Sequence, residues 1–97
     1  MTLKNKIIGI LGGGQLGKMT ATAAKKLGYY TFLYCPKGDN PAEYIVNEYI
    51  DGNWDDNNKL EIFASKVDVI TSEFENIPAK TLNNLSNITN GFTGLGI

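Results

Sequence analysis

Gly12-x-Gly14-x-x-Gly17 is the spacing in this chain with the plainest chemistry. It follows the apolar run Ile7-Ile8-Gly9-Ile10-Leu11, and helical spacing begins directly after it. Strand, glycine-rich turn and helix, in that order, aim backbone N–H groups and a helix N-terminus at an anion or a polar ligand. Gly12 is placed to make the tight turn, Gly14 to let a ligand approach the backbone, and Gly17 to let the helix lie close to the strand. Gln15 and Leu16 are the side chains left at the mouth of the turn. A second polar cluster, Ser72-Glu73-Phe74-Glu75-Asn76, closes a later apolar run and offers carboxylates at a strand end.

The glycine spacing alone leaves three readings open. As a dinucleotide fingerprint it requires an acid at the end of the second strand to hold a ribose hydroxyl. The strand expected there ends Leu33-Tyr34-Cys35-Pro36, and Asp39 lies beyond the proline. As a P-loop it requires Ser or Thr after Lys18 to ligand Mg²⁺, but Met19 stands there and Thr20 is one position late. The third reading is a tight strand–helix turn with no ligand at all.

Ninety-seven residues suffice for one small domain with a single core. A net charge of -1 gives no basic footprint for nucleic acid. No apolar run approaches the roughly 20 residues that cross a bilayer, and Met1-Thr2-Leu3-Lys4 leads straight into a strand, so neither a membrane span nor a secretion signal is expected, and the cytoplasm is the expected compartment. A single cysteine, Cys35, excludes an intrachain disulfide or a zinc cluster. No histidine is present, and all nine basic residues are lysines. A general base of the commonest kind and a bidentate phosphate clamp are both missing. The pattern is that of a binding half without its catalytic half, and no metal site is expected.

The elements that must position these residues follow from periodicity. Lys6 to Leu11 reads as a buried central strand. Leu16 to Leu27 reads as a helix with Leu16, Met19, Ala23 and Leu27 as its apolar positions and Gly28 just past its end. Tyr29 to Tyr34 is a second strand, Pro41 to Asn47 a short helix, and Glu48 to Ile50 a brief third strand. Asn53 or Asp55 is expected to cap a helix carrying Leu60, Phe63, Ala64 and Val67, with Asp55 and Asp56 in its first turn. Lys66 to Thr71 gives a fourth strand, and Pro78 opens a last helix with Leu82 and Leu85. The alternation predicts an α/β fold with right-handed crossovers and a parallel sheet in the order 3-2-1-4, helices on both faces. That order sets the glycine turn and Glu73 at one crevice. The domain is expected over 1–86, with an irregular tail over 87–97.

Two motifs taken together carry a resemblance. Gly12-Gly13-Gly14-Gln15-Leu16-Gly17-Lys18-Met19 and Ser72-Glu73-Phe74-Glu75-Asn76-Ile77-Pro78-Ala79 resemble the N-terminal, Rossmann-like pre-ATP-grasp domain of the 5-(carboxyamino)imidazole ribonucleotide synthases, ATP-grasp ligases of bacterial purine biosynthesis. The resemblance runs from about Lys6 to Leu85. It implies that Gln15 and Leu16 contact 5-aminoimidazole ribonucleotide, and that Glu73 hydrogen-bonds its amine. Glu75 and Asn76 become second-layer candidates, with helix capping the better reading of Asn76. It also implies an enzyme that uses ATP and Mg²⁺ to activate bicarbonate, with a homodimer among its assemblies. The ATP-grasp region is missing from this chain, which alone is expected to bind no cofactor and to be inactive. Cys35 stands where the family usually has an aspartate, and the last residues do not resemble the family's continuation, so a truncated or frameshifted gene product or a cloned fragment is expected. The alternatives are a small NAD- or ATP-binding module and a fragment of formate-dependent glycinamide ribonucleotide transformylase.

Overall fold

The computed structural model describes residues 6–38, 40–72 and 77–88. Strands β1 (Ile7–Leu11), β2 (Tyr30–Cys35), β3 (Glu48–Asp51) and β4 (Val69–Ser72) form one sheet in the order β3-β2-β1-β4. All three pairings are parallel. Helix α1 (Gln15–Lys26) links β1 to β2, a 3₁₀ turn at Pro41–Tyr44 lies between β2 and β3, α2 (Asn57–Ser65) links β3 to β4, and α3 (Ala79–Ile88) follows β4. This is the α/β architecture and strand order expected from the alternation.

Two apolar layers hold the sheet, and the period-2 alternation of β1 and β2 sorts residues between them. Leu11, Phe32, Tyr34 and Ile70 face α2 and α3, where they meet Leu60, Phe63, Ala64, Ile77 and Leu85. Phe63 is the hub of this layer: its ring lies edge-on to Phe32 at 5.8 Å and tilted against Tyr34 at 5.5 Å. Ile10, Leu33 and Cys35 face the other way, against Ala21 of α1 and Ala42.

The face that α1 buries differs from the expected one. Gly17, Ala21 and Ala24 are buried, whereas Leu16 is 48% exposed, Met19 65% and Leu27 75%, and Ala23 is exposed as well. The helix approaches the sheet too closely for long side chains, so the small residues turn inward and the large apolar ones outward. Its far end does follow expectation. The N–H of Gly28 bonds Lys25 O at 3.0 Å and that of Tyr29 bonds Ala24 O at 3.0 Å, a Schellman closure.

Other boundaries shift for identifiable reasons. The short helix before β3 is a single 3₁₀ turn ending at Tyr44, not a helix to Asn47. Asn47 instead turns back to β2, where its Oδ1 accepts from Thr31 N at 2.8 Å. Neither Asn53 nor Asp55 caps α2, and no acid sits in its first turn. Asp56 is the cap, its carboxylate accepting from Lys59 N at 3.1 Å. Strand β4 starts at Val69 rather than Lys66, because Lys66 closes α2 and Asp68 binds Ile7 N through its carboxylate at 2.7 Å. Helix α3 runs to Ile88, so positions 87 and 88 continue the helix rather than begin a tail.

Candidate functional site

The glycine turn is built by its neighbours as much as by its own sequence. Gly12 has φ of 99°, a conformation that side chains rarely adopt, and its N–H donates to Tyr34 O at 3.0 Å. The chain thereby leaves β1 while still tied to β2. Gly17 lies so close to the turn that a Cβ on it would stand 2.2 Å from Gly12 O. Gly17 is a close-packing position, but the contact it allows is with the turn's own carbonyl rather than with the strand.

The loop after β2 supports the turn from the other side. Ala42 N donates to Gly13 O at 3.0 Å. The Asn40 side chain lies against Gly13, where a Cβ would meet its Cβ at 2.7 Å, and Asn40 Nδ2 is anchored on Pro36 O at 2.9 Å. Asn40 carries no signal in the sequence beyond an Asn between two prolines, and it is a positioning residue that pattern reasoning missed.

At the head of α1, Gly14 is the N-cap, with extended backbone at ψ -162° and no side-chain capping bond. The first turn carries no acid. Gly14 O accepts from Lys18 N at 2.9 Å, the first bond of the helix. The N–H groups of Gln15, Leu16 and Gly17 therefore precede any intrahelical acceptor and carry the positive end of the dipole. Gln15 and Leu16 are both exposed beside them. An anion or a polar ligand is what such an end receives.

Strand β4 leaves the sheet beside this turn, because Ser72 pairs in register with Leu11. Ser72 is 6% exposed, and its hydroxyl has no hydrogen-bond partner among the described residues. Glu73, Glu75 and Asn76 follow it in sequence and lie outside the described residues, as does Asp39. The end of β2 is Cys35, 2% exposed, followed by Pro36. No acid ends that strand to hold the ribose of a dinucleotide.

A cavity of about 380 Å³ lies elsewhere, beyond β2 and β3 on the α2/α3 side, and Trp54 is in its wall. Beneath it Tyr34 is buried and donates its hydroxyl to Asn53 O at 2.6 Å. Burial, helped by the nearby charges of Asp56, Asp55 and Asp51, pushes the Tyr34 phenol up to about 12. Burial likewise raises Tyr49, whose hydroxyl lies 3.3 Å from Cys35 O. Among the described residues no group of three or more His, Cys, Asp or Glu could hold a metal ion, and no helix is long and apolar enough to cross a membrane.

With this geometry in hand, the comparisons are specific. Residues 5–92 match the family model described as the ribonucleotide synthetase preATP-grasp domain. The chain is 45% identical over 91 residues to the N5-carboxyaminoimidazole ribonucleotide synthase of Staphylococcus aureus (strain COL), covering 91% of this chain and 24% of that protein. The crystal structure of the S. aureus N5-carboxyaminoimidazole synthetase superposes with a TM-score of 0.78 at 46% identity, covering 84% of this chain and 22% of that one. An N5-carboxyaminoimidazole ribonucleotide synthetase in complex with ADP gives a TM-score of 0.81 at 39% identity, covering 88% and 22%. The chain thus spans about a quarter of the length of the relatives it matches.

Proposed function

The chain belongs to the ribonucleotide synthetase preATP-grasp domain family, and on that premise we propose that it is the N-terminal, substrate-binding part of an N5-carboxyaminoimidazole ribonucleotide synthase. The observation that carries this reading is the 45% identity over 91 residues to a synthase of that name. The glycine turn at the head of α1 agrees with it. The whole enzyme would be a cytoplasmic carbon–nitrogen ligase that carboxylates 5-aminoimidazole ribonucleotide in purine biosynthesis.

In this reading the substrate sits at the mouth of the glycine turn. Gln15 and Leu16 contact it, and the first-turn N–H groups of α1 receive its polar atoms. Glu73 accepts hydrogen bonds from the amine and turns the nitrogen lone pair toward the carboxyl donor. Glu75 and Asn76 are the proposed supporting residues of Glu73, with helix capping the better reading of Asn76. In this reading the chain binds and orients the nucleophile. The described residues do not fit Mg²⁺ or the phosphates of ATP: they offer no ligand cluster, and Met19 follows Lys18. Those groups belong to the larger remainder of such an enzyme, which would supply the activated carboxyl group, and a homodimer is the proposed assembly of the whole.

A two-dimensional amide NMR spectrum of the chain, titrated in turn with 5-aminoimidazole ribonucleotide, NAD and ATP, tests this. Shifts at Gln15, Leu16 and Glu73 with the ribonucleotide alone are the expected result. Shifts over Gly12 to Lys18 with NAD or ATP would overturn it in favour of a nucleotide-binding module.

A further inference from the structure

The cavity beside Trp54 opens at the carboxyl ends of β2 and β3, and none of residues 12–17 lines it. At about 380 Å³ it falls within the size of small-ligand pockets. Trp54, Pro36 and Pro78 are apolar residues among those that line it.

The Trp54 wall is fixed by its neighbours. The indole packs against Tyr34 with ring centroids 5.8 Å apart. Its carbonyl accepts a 2.6 Å hydrogen bond from Thr81 Oγ1, and Thr81 is only 3% exposed. Flat, fixed apolar faces of this kind suit a planar ring system, which stacks at little entropic cost.

The polar groups around these faces have capacity to spare. Asn57 and Asn84 share a single 3.3 Å bond, from Asn84 Nδ2 to Asn57 Oδ1. Each amide offers two donors and an acceptor with two lone pairs. The pair can therefore give and accept further bonds, as the mixed donor–acceptor edge of a nucleobase demands. Lys80 lines the cavity from the first turn of α3, where the helix dipole disfavours a cation. An anion there would offset both charges. Asp55 also lines the cavity; its carboxylate suits hydroxyl donors and keeps an anion on the Lys80 side.

We propose that this cavity is a second binding site, distinct from the glycine turn, for a nucleoside monophosphate. The base stacks on Trp54 and reads the Asn57–Asn84 pair. The ribose hydroxyls face Asp55, and the phosphate meets Lys80.

Trp54 is the chain's one tryptophan, so its fluorescence reports the site directly. Adenosine 5′-monophosphate should quench it saturably, and adenosine should bind more weakly. Lys80→Ala should lower the monophosphate affinity about fivefold, a size suited to an exposed lysine, leave adenosine binding unchanged, and keep or slightly raise the thermal midpoint by removing a cation from the positive end of α3. Asn84→Ala should weaken both ligands. A response to the monophosphate that never saturates would overturn the assignment. So would an unchanged affinity in Lys80→Ala, or saturable binding of L-phenylalanine in place of the nucleotide.

Discussion

Replacing Gly17 by alanine sets two effects of opposite sign against each other. In an ordinary helix interior alanine is favoured over glycine by about 1 kcal/mol. Here the new Cβ would stand 2.2 Å from Gly12 O, and the turn and helix must part by about 1 Å to restore the 3.4 Å of ordinary contact. The opposing atom is backbone, so no side-chain rotation relieves it. Overpacking of this kind costs about 1–3 kcal/mol, and a rigid neighbour puts it at the upper end. The net expectation is a loss of about 2 kcal/mol, or roughly 10 °C in melting midpoint for a chain of this size. Urea unfolding followed by far-UV circular dichroism measures it, with Thr22→Ala on the same helix as the control. Parting the helix from the turn also displaces the first-turn N–H groups, so amide shifts at Gln15 and Leu16 should accompany the loss. A variant as stable as the parent, or more so, would refute the claim that this contact sets the distance of α1 from the turn.

The buried face of α1 is tested by a pair of substitutions: Met19→Lys, at a position 65% exposed, should change stability by less than about 0.5 kcal/mol. Ala21→Leu, at a position with no exposure, should cost about 1–3 kcal/mol in the same urea assay. Asp56→Ala removes the cap on Lys59 N and should cost about 1 kcal/mol, where Asp55→Ala, read by the same melts, should cost almost nothing. Phe63→Ala takes a fully buried ring from between Phe32 and Tyr34. Its expected cost, about 3–5 kcal/mol, approaches the whole stability of a small domain, and the loss of dispersed NMR signals would register it. The Tyr34 phenol has its folded value raised from 10.0 to about 12, so the fold favours the protonated form. Its contribution is complete below pH 10 and falls away as pH rises through about 12. Alkaline unfolding followed at a fixed urea concentration should show that loss, and Tyr34→Phe should flatten it.

What the sequence reveals here depends on whether a feature is local. The glycine turn is legible because its spacing encodes the backbone that follows within a few residues, and Gly12 and Gly17 behave as that spacing requires. The strand order is legible because alternating elements and a fixed crossover hand leave few arrangements. The buried face of α1 is not, because hydrophobic spacing weighs size and not distance. Leu16, Met19, Ala23 and Leu27 repeat as a core stripe would, yet the Gly17–Gly12 approach admits only Gly17, Ala21 and Ala24. The same limit hides Asn40 behind Gly13, and Thr81 behind Trp54 from 27 residues away. Each of those side chains acquires its role from a neighbour brought in by the sheet. The two proposed ligand sites differ accordingly. The backbone part of the one at the turn is written in adjacent residues, while the one at Trp54 is assembled from the end of β2, the β3–α2 connection and α3, and exists only once the chain has folded. A mutation that loosens α3 against α2 should therefore abolish nucleotide quenching of Trp54 while leaving the glycine turn's amide pattern in place.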